Sequence, residues 1–462
     1  MYYCLNNFIS VSKDFGLCSI YNLISKSSIF ADEIAYVFLS SLSYEPQNIN
    51  EVSKKILRHF KNVDLNQVIN DATEYFDSLV SVGILSKGRT EDECFSNRVV
   101  FSYEHQHEIR QRFESFKHAD EDIFSQIRPQ RNIQLKNLHI ELTSKCNERC
   151  IHCYIPHEQK TTDMSMNTFN KLFEEIKSIG IKSVILSGGE CMMHPFFLDI
   201  LKHFKAENIH VTILTNLTLL NQEIIDVLSN GLLSFVQVSL FSLDEEIHDR
   251  ITQKKGSWKN TLKNIEMLRH ANIPVKIASQ CFKDTISSQE ELIAWCVQQG
   301  YSFSIDLDIV GKTDGDTSNL CNRVDDMSLY QRIIEVKDKL DPSFVDKLHV
   351  GNCPDYHICN VGVSTLSISS SGDVYPCVGF TSYRLGNVND SSLVEIWENS
   401  PALNKLRELR LKDFKICSKC EDKDYCNVCM QYNSSVTGDI FTPDKRKCMI
   451  THMLKSYATS KV

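Results

Sequence analysis

Thr143-Ser144-Lys145-Cys146-Asn147-Glu148-Arg149-Cys150-Ile151-His152-Cys153-Tyr154 is the stretch on which the reading of this chain turns. Its cysteines follow the spacing C-x3-C-x2-C. Three thiolates can hold three irons of a cubic [4Fe–4S] cluster. The fourth iron is then open to a substrate or cofactor, whereas a structural cluster is usually closed by four cysteines. The same spacing also fits one face of a short helix, where the thiols would pack as small core residues. The flanks favour chemistry. Leu138-His139-Ile140-Glu141-Leu142-Thr143 alternates as a strand. The cysteines therefore lie on the loop leaving its carboxyl end, where α/β sheets and barrels place ligands. One helix later a second strand, Lys182–Leu186, runs into Ser187-Gly188-Gly189-Glu190. Glycines there let a ligand approach the backbone, and the glutamate offers a carboxylate to an ammonium group.

The strand–helix alternation continues. Strands are expected over His210–Leu214, Phe235–Leu240, Val275–Gln280 and Phe303–Ile309. Ser165 can cap a helix that buries Met166, Phe169, Leu172, Phe173, Ile176 and Ile179 and stops at Gly180. Another helix starts at Ser257 and buries Leu262, Ile265 and Leu268. Six strands with helical crossovers predict an α/β fold with a parallel sheet. Periodicity alone does not choose between an open and a closed barrel.

At these residues the chain resembles the radical S-adenosylmethionine (SAM) enzymes, whose cysteine motif has this spacing, with an aromatic residue between or just after the last cysteines, here His152 and Tyr154. The resemblance implies a partial (βα)6 barrel over residues 137–312 and one SAM-binding [4Fe–4S] cluster on Cys146, Cys150 and Cys153. Tyr154, Gly188, Gly189 and Glu190 would border SAM. Asn216 follows the third strand, and Ser239 at the end of the fourth is similar to the family's ribose-binding position. Arg250 has a guanidinium that matches a carboxylate. Asn216 and Arg250 read equally well as a turn residue and a solvated charge. Cys191 stands where the family often has proline, and reads as a core thiol.

Eight further cysteines lie between residues 353 and 448: Cys353, Cys359, Cys377, Cys417, Cys420, Cys426, Cys429 and Cys448. Their surroundings are polar and loop-like, so packing does not explain them. Disulfides suit an oxidising compartment, but no secretory signal is expected from Met1–Leu5. One four-thiolate zinc site on Cys417, Cys420, Cys426 and Cys429 would leave four thiols over. The region over 313–462 resembles a SPASM domain, the cysteine-rich extension of peptide-modifying radical SAM enzymes. Cys359 leads to Gly372-Asp373-Val374-Tyr375-Pro376-Cys377, and C-x2-C-x5-C follows at Cys417, Cys420 and Cys426. Cys429 departs by one residue from the usual x3 spacing. The resemblance implies two auxiliary [4Fe–4S] clusters, one on Cys353, Cys359, Cys377 and Cys429, the other on Cys417, Cys420, Cys426 and Cys448.

Residues 1–101 form a separate unit. Strand-like runs at Tyr2–Val11 and Leu17–Ser25, with Lys13-Asp14 as a turn, precede helices near Phe30–Leu42, Ile49–Phe60 and Leu65–Val82 and a strand at Ile84-Leu85-Ser86. This order resembles a winged-helix-like RiPP recognition element, which binds the leader of a ribosomal precursor peptide by strand addition. A DNA-binding winged helix shares the order, but no basic stripe is evident and the chain carries a net charge of −9. Residues 102–136 read as a helical linker.

Neither nucleic acid nor membrane is expected as a partner: the charge is acidic and no run reaches transmembrane length. A cytoplasmic enzyme is expected, acting on a ribosomal peptide with electrons from a small donor protein such as a ferredoxin or flavodoxin. The resemblance implies that a 5′-deoxyadenosyl radical abstracts hydrogen and that a thioether, C–C or C–O cross-link forms. Three rivals remain: an epimerase, with Cys191, Cys281, Cys296 or Cys321 as hydrogen donor; a sulfatase-maturase-like formylglycine former; and a scaffold without radical chemistry. The sequence names no general base; Asp306 and Asp308 on the sixth strand are acidic candidates that also read as polar strand positions facing solvent.

Overall fold

The computed structural model describes residues 1–14, 17–25, 27–106, 108–109, 134–229, 231–324, 326–341, 343–351, 358–359 and 361–461. In the N-terminal unit, β1 (Tyr2–Leu5), β2 (Ile9–Asp14), β3 (Leu17–Asn22), β4 (Ser27–Ala31), β5 (Gln47–Asn48) and β6 (Leu85–Gly88) make two antiparallel sheets, ordered β5-β1-β6 and β2-β3-β4. The single strand expected over Tyr2–Val11 is broken by Asn6. Its buried amide donates to the Gly83 carbonyl at 2.8 Å and accepts from the Val99 N–H at 3.0 Å, which turns the chain from one sheet to the other. Lys13 and Asp14 pair with Cys18 and Leu17 as strand residues, where a turn was expected. Ser27–Ala31 is a strand up to Asp32, whose side chain accepts from the Ala35 N–H, so the helix begins at Glu33. Helices Ile49–Leu57 and Leu65–Ser81 then close an apolar core around Phe38, Val52 and Phe76. Most of the expected linker lies outside the described residues. Tyr103, near its start, ties it to the barrel: its hydroxyl donates to the Ile273 carbonyl at 2.8 Å and accepts from the Val275 N–H at 2.9 Å.

Six parallel strands follow in sequence order: β7 (Asn137–Thr143), β8 (Ser183–Gly188), β9 (His210–Thr215), β10 (Phe235–Ser239), β11 (Val275–Gln280) and β12 (Ser302–Asp306). β7 and β12 do not pair, so the barrel stays open. Its crossover helices bury apolar stripes against the sheet. Helix Met166–Ile179 is capped by the Ser165 hydroxyl, which accepts from the Thr168 N–H at 3.1 Å, and ends at Gly180 with φ of 83°. It buries Phe169, Leu172, Phe173 and Ile176, each contributing about 1.5–3 kcal/mol. Helix Ser257–His270 buries Ile265 and Leu268. The last barrel strand ends at Asp306, three residues short of the expected Ile309.

The boundary expected at residue 312 does not divide the sheet. β13 (Thr365–Ile368) pairs parallel with β7, and β14 (Asp373–Tyr375) and β15 (Gly386–Asn387) continue outward, so one nine-stranded sheet joins both regions. Beyond it, Met430 at the start of helix Met430–Thr437 joins Phe380, Leu406 and Phe414 in a small core, against which Cys359, Cys377, Cys417 and Cys426 pack, and helix Lys445–Thr459 is the last of the described chain. Among the described residues no helix is long and apolar enough to cross a membrane.

Candidate active site

At the carboxyl ends of the barrel strands lies one cavity of about 320 Å³. Cys146, Cys150, Cys153 and Tyr154 reach it from the loop after β7, Gly188 and Gly189 from the end of β8, Asn216 from the loop after β9 and Ser239 from the end of β10. Gln280 and Asp306 line it from the ends of β11 and β12. Burial pushes the Cys146 thiol up to about 11 and Cys150 well above its ordinary value. A metal must therefore displace protons to bind here.

Gly188 and Gly189 line the cavity and are also packed tightly against the cysteine loop. A Cβ on Gly188 would lie 1.9 Å from the Thr143 carbonyl oxygen, and one on Gly189 would lie 2.2 Å from that of Lys145. The backbone fills the space a side chain would need. The Gly189 N–H donates to Thr143 at 2.7 Å and the Glu190 N–H to Lys145 at 2.8 Å. These glycines let the loop after β8 lock onto the start of the cysteine loop.

Glu190 ties neighbouring loops together. Its carboxylate is fully buried and accepts from the Thr215 hydroxyl at 2.8 and 2.9 Å, the Asn216 N–H at 2.8 Å and the Met192 N–H at 3.1 Å. It holds the β8 and β9 loops together and is not among the residues lining the cavity. The Asn216 amide donates to Asn147 Oδ1 at 2.9 Å, tying the β9 loop to the cysteine loop. Arg250 stands outside the cavity: its side chain is half-exposed and pairs with Asp284 at 3.2 Å. Cys191, Cys281 and Cys296 are buried, Cys321 is exposed, and none of the four lines the cavity. Asp308 is held by Arg323 at 2.9 Å and Arg446 at 3.3 Å, so it is an ion-pair partner rather than a free base.

Glu148, His139, Gln237 and Lys160 line the cavity without having been singled out from sequence. Glu148 lies inside the cysteine motif, and burial raises its carboxyl to about 7. His139 and Glu141 alternate with Leu138, Ile140 and Leu142 on β7. That alternation was the available signal, because the apolar set faces the helices. Burial raises Glu141 to about 7, where the Tyr154 hydroxyl donates to it at 3.3 Å, and lowers His139 to about 4. His152 packs edge-on against Phe241 and tilted against Phe282, with ring centroids 4.9 and 4.7 Å away. Its Nδ1 and the Oε1 of Gln280 are buried without a hydrogen-bond partner. Three thiols and unsatisfied polar atoms at one cavity suit an iron–sulfur cluster with a polar ligand.

The C-terminal thiols fall into two groups. Cys359 and Cys377 pack against the same small core, and burial brings the Cys377 thiol up to about 12. Cys353 lies outside the described residues. Cys417, Cys420, Cys426 and Cys448 line one small pocket that Cys429 also borders.

Residues 140–296 match the radical SAM superfamily and residues 359–422 the SPASM iron–sulfur cluster-binding domain. The chain is 27% identical over 331 residues to an AdoMet-dependent heme synthase of Methanosarcina barkeri, covering 65% of this chain and 92% of that protein. It is 26% identical over 300 residues to the antilisterial bacteriocin subtilosin biosynthesis protein AlbA of Bacillus subtilis, covering 63% and 66%. The fold matches that of Streptococcus suis SuiB bound to precursor peptide SuiA with a TM-score of 0.59 at 17% identity, over 93% of this chain and 96% of that one.

Proposed function

This chain is a radical SAM enzyme with a C-terminal SPASM domain, and from that premise we propose that it modifies a ribosomally synthesised peptide, forming a thioether, C–C or C–O cross-link within it. The observation that carries this reading is the span of the likeness to SuiB, a protein solved with its precursor peptide. At 93% of the chain, it leaves too few residues over to omit the N-terminal unit. In this reading residues 1–101 bind the leader and bring the rest of the peptide to the barrel.

Cys146, Cys150 and Cys153 would hold the SAM-binding cluster, with Gly188, Gly189, Asn216 and Ser239 bordering the cofactor. When bound, the cluster and SAM supply abstraction of a hydrogen atom from a C–H bond. The chain's own residues shape the place where this happens. His152 and Phe241 line the cavity as an aromatic wall backed by Phe282, the kind of surface that would keep water from a radical. Glu190, Thr215 and Asn147 fix the three loops relative to one another, which sets the distance between donor and acceptor atoms. Cys353, Cys359, Cys377 and Cys429, and separately Cys417, Cys420, Cys426 and Cys448, would hold two fully ligated clusters able to accept the electron released as the new bond closes. A ferredoxin or flavodoxin would supply reducing electrons.

The test is anaerobic turnover of the reconstituted enzyme with SAM, dithionite and the peptide encoded beside its gene, run in deuterated water. The expected product has lost two hydrogens and carries no solvent label. Solvent deuterium in a peptide that has lost none identifies an epimerase. 5′-Deoxyadenosine release that never depends on the peptide removes the peptide reading.

A further inference from the structure

Beyond Tyr154 the chain folds back on the cysteine loop. Pro156 leads into a 3₁₀ turn, His157–Gln159, in which the Gln159 N–H donates to the Pro156 carbonyl at 3.1 Å and the Lys160 N–H to that of His157 at 3.2 Å. Ser144 then pins the segment on both sides of Lys160. Its hydroxyl donates to the Gln159 carbonyl at 2.9 Å and accepts from the Thr162 N–H at 2.9 Å, and its own N–H donates to the Thr162 carbonyl at 2.8 Å. The backbone of Lys160 is therefore fixed beside the loop that carries Cys146, and the residue lines the cysteine cavity.

Among the described residues Lys160 is the one lysine or arginine in that wall. The wall also holds three thiols, Glu148 and Asp306. Desolvation favours the neutral form of its histidines, lowering His139 to about 4 and His152 to about 3. Other cations of the surrounding loops are engaged outside the cavity: Lys145 with Asp163 at 2.5 Å, Lys312 with Asp316 at 2.6 Å and Arg250 with Asp284 at 3.2 Å. The ammonium of Lys160 holds no hydrogen bond or ion pair among the described residues. It is only partly exposed, so an anion brought beside it is screened less than at an open surface.

We propose that Lys160 binds the α-carboxylate of SAM, the role its guanidinium had suggested for Arg250. The amino-acid end of SAM brings a carboxylate into a cavity where three thiolates must already hold the cluster's irons, so negative charge accumulates there. That carboxylate needs a cation, and among the described residues of the wall only Lys160 supplies one. An ammonium is a point charge with three donors on a flexible four-carbon stem, so it reaches a carboxylate without the fixed fork that an arginine imposes. The bond it makes is charge-assisted on both sides. The inference rests on the chain's membership of the radical SAM superfamily and not on the peptide-modifying reading.

The test is anaerobic equilibrium binding of SAM, S-adenosylhomocysteine and decarboxylated SAM to the full-length reconstituted protein, with no peptide present. Lys160→Gln weakens SAM and S-adenosylhomocysteine by roughly ten- to a hundredfold and changes decarboxylated SAM by less than about twofold. Lys160→Arg, which keeps the charge, recovers most of the loss. Arg250→Gln, which breaks a half-exposed ion pair, leaves all three ligands within about twofold. Iron per chain is the same in every variant. If decarboxylated SAM weakens in step with SAM, or if Lys160→Gln loses iron, the lysine supports the loop or the cluster and the proposal is overturned. An unchanged SAM affinity in Lys160→Gln overturns it too, as does a larger loss from Arg250→Gln than from Lys160→Gln. Peptide cross-linking is assayed apart from these titrations, so a failed carboxylate contact and a failed peptide-modifying reading give different results.

Discussion

Oε2 of Glu148 lies 3.6 Å from Sγ of Cys150, placing a buried carboxyl between the first and second thiols of the triad. Its other oxygen accepts from the Ser257 hydroxyl at the first residue of a barrel helix. A negative charge so near a cluster disfavours the added electron of the reduced form. Glu148→Gln keeps an acceptor for Ser257 and removes the charge. The midpoint potential of the triad cluster, followed by EPR during a redox titration, should move to more positive values. An unmoved potential would mean that the carboxyl is neutral in the loaded protein.

Replacing Cys146, Cys150 or Cys153 with alanine should remove about four irons per chain and abolish 5′-deoxyadenosine formation, while the thiols over 359–448 keep their iron. Iron analysis and anaerobic assay check both halves. Loading should weaken as pH falls, because the buried Cys146 thiol, raised to about 11, must lose its proton to bind metal.

Gly189→Ala places a methyl 2.2 Å from the Lys145 carbonyl oxygen and 2.4 Å from that of Ser144. Backbone at both sites has no flexible end to yield, so the cost should be on the order of 2–4 kcal/mol. Urea unfolding of the protein without SAM measures it. A variant of unchanged stability with weakened SAM affinity would instead return the glycine to the role its sequence suggests.

The sheet was legible because β-branched and apolar residues alternate or run on between turn signals, as in Ser183–Gly188 and Val275–Gln280. The cysteine loop was legible because spacing along the chain survives folding. What escaped were relations between distant segments. Glu190 looks free in sequence, yet Thr215 and Asn216 consume its carboxylate. Arg250 follows the fourth strand closely but pairs with Asp284 outside the cavity. β13 joins β7 across more than two hundred residues, a pairing that no local pattern encodes.

His139, His210 and His248 are buried, and desolvation lowers each to about 4. Between about 6.5 and 4 an unfolded chain holds protons at these rings and the folded chain does not. Acid therefore favours unfolding across that window. Glu141 and Glu148, raised to about 7, act in the opposite sense and partly offset it. His210→Asn isolates one ring: the fall in stability from pH 6.5 towards 4 should become shallower by up to about 1.4 kcal/mol per pH unit. Urea melts at several pH values would show an unchanged slope if His210 were already charged in the folded state.

Asp308 joins the barrel to the cysteine-rich region. It pairs with Arg323 at 2.9 Å and Arg446 at 3.3 Å, and accepts from the Tyr432 hydroxyl, three residues beyond Cys429. Arg323 also reaches Asp444, the residue capping the last helix, at 3.1 Å. All of these side chains are largely buried, so removing one charge leaves the others uncompensated. Asp308→Asn should cost about 3–5 kcal/mol and loosen the cysteine-rich region, seen as faster proteolysis and partial loss of iron at Cys417, Cys420, Cys426 and Cys448. Asp306→Asn, at the cavity wall two residues earlier, should leave stability within about 0.5 kcal/mol, since Asp306 lies outside this network. If turnover falls in Asp306→Asn while the fold holds, the general-base role belongs to Asp306. If turnover falls only in Asp308→Asn, together with stability and iron, the loss is structural.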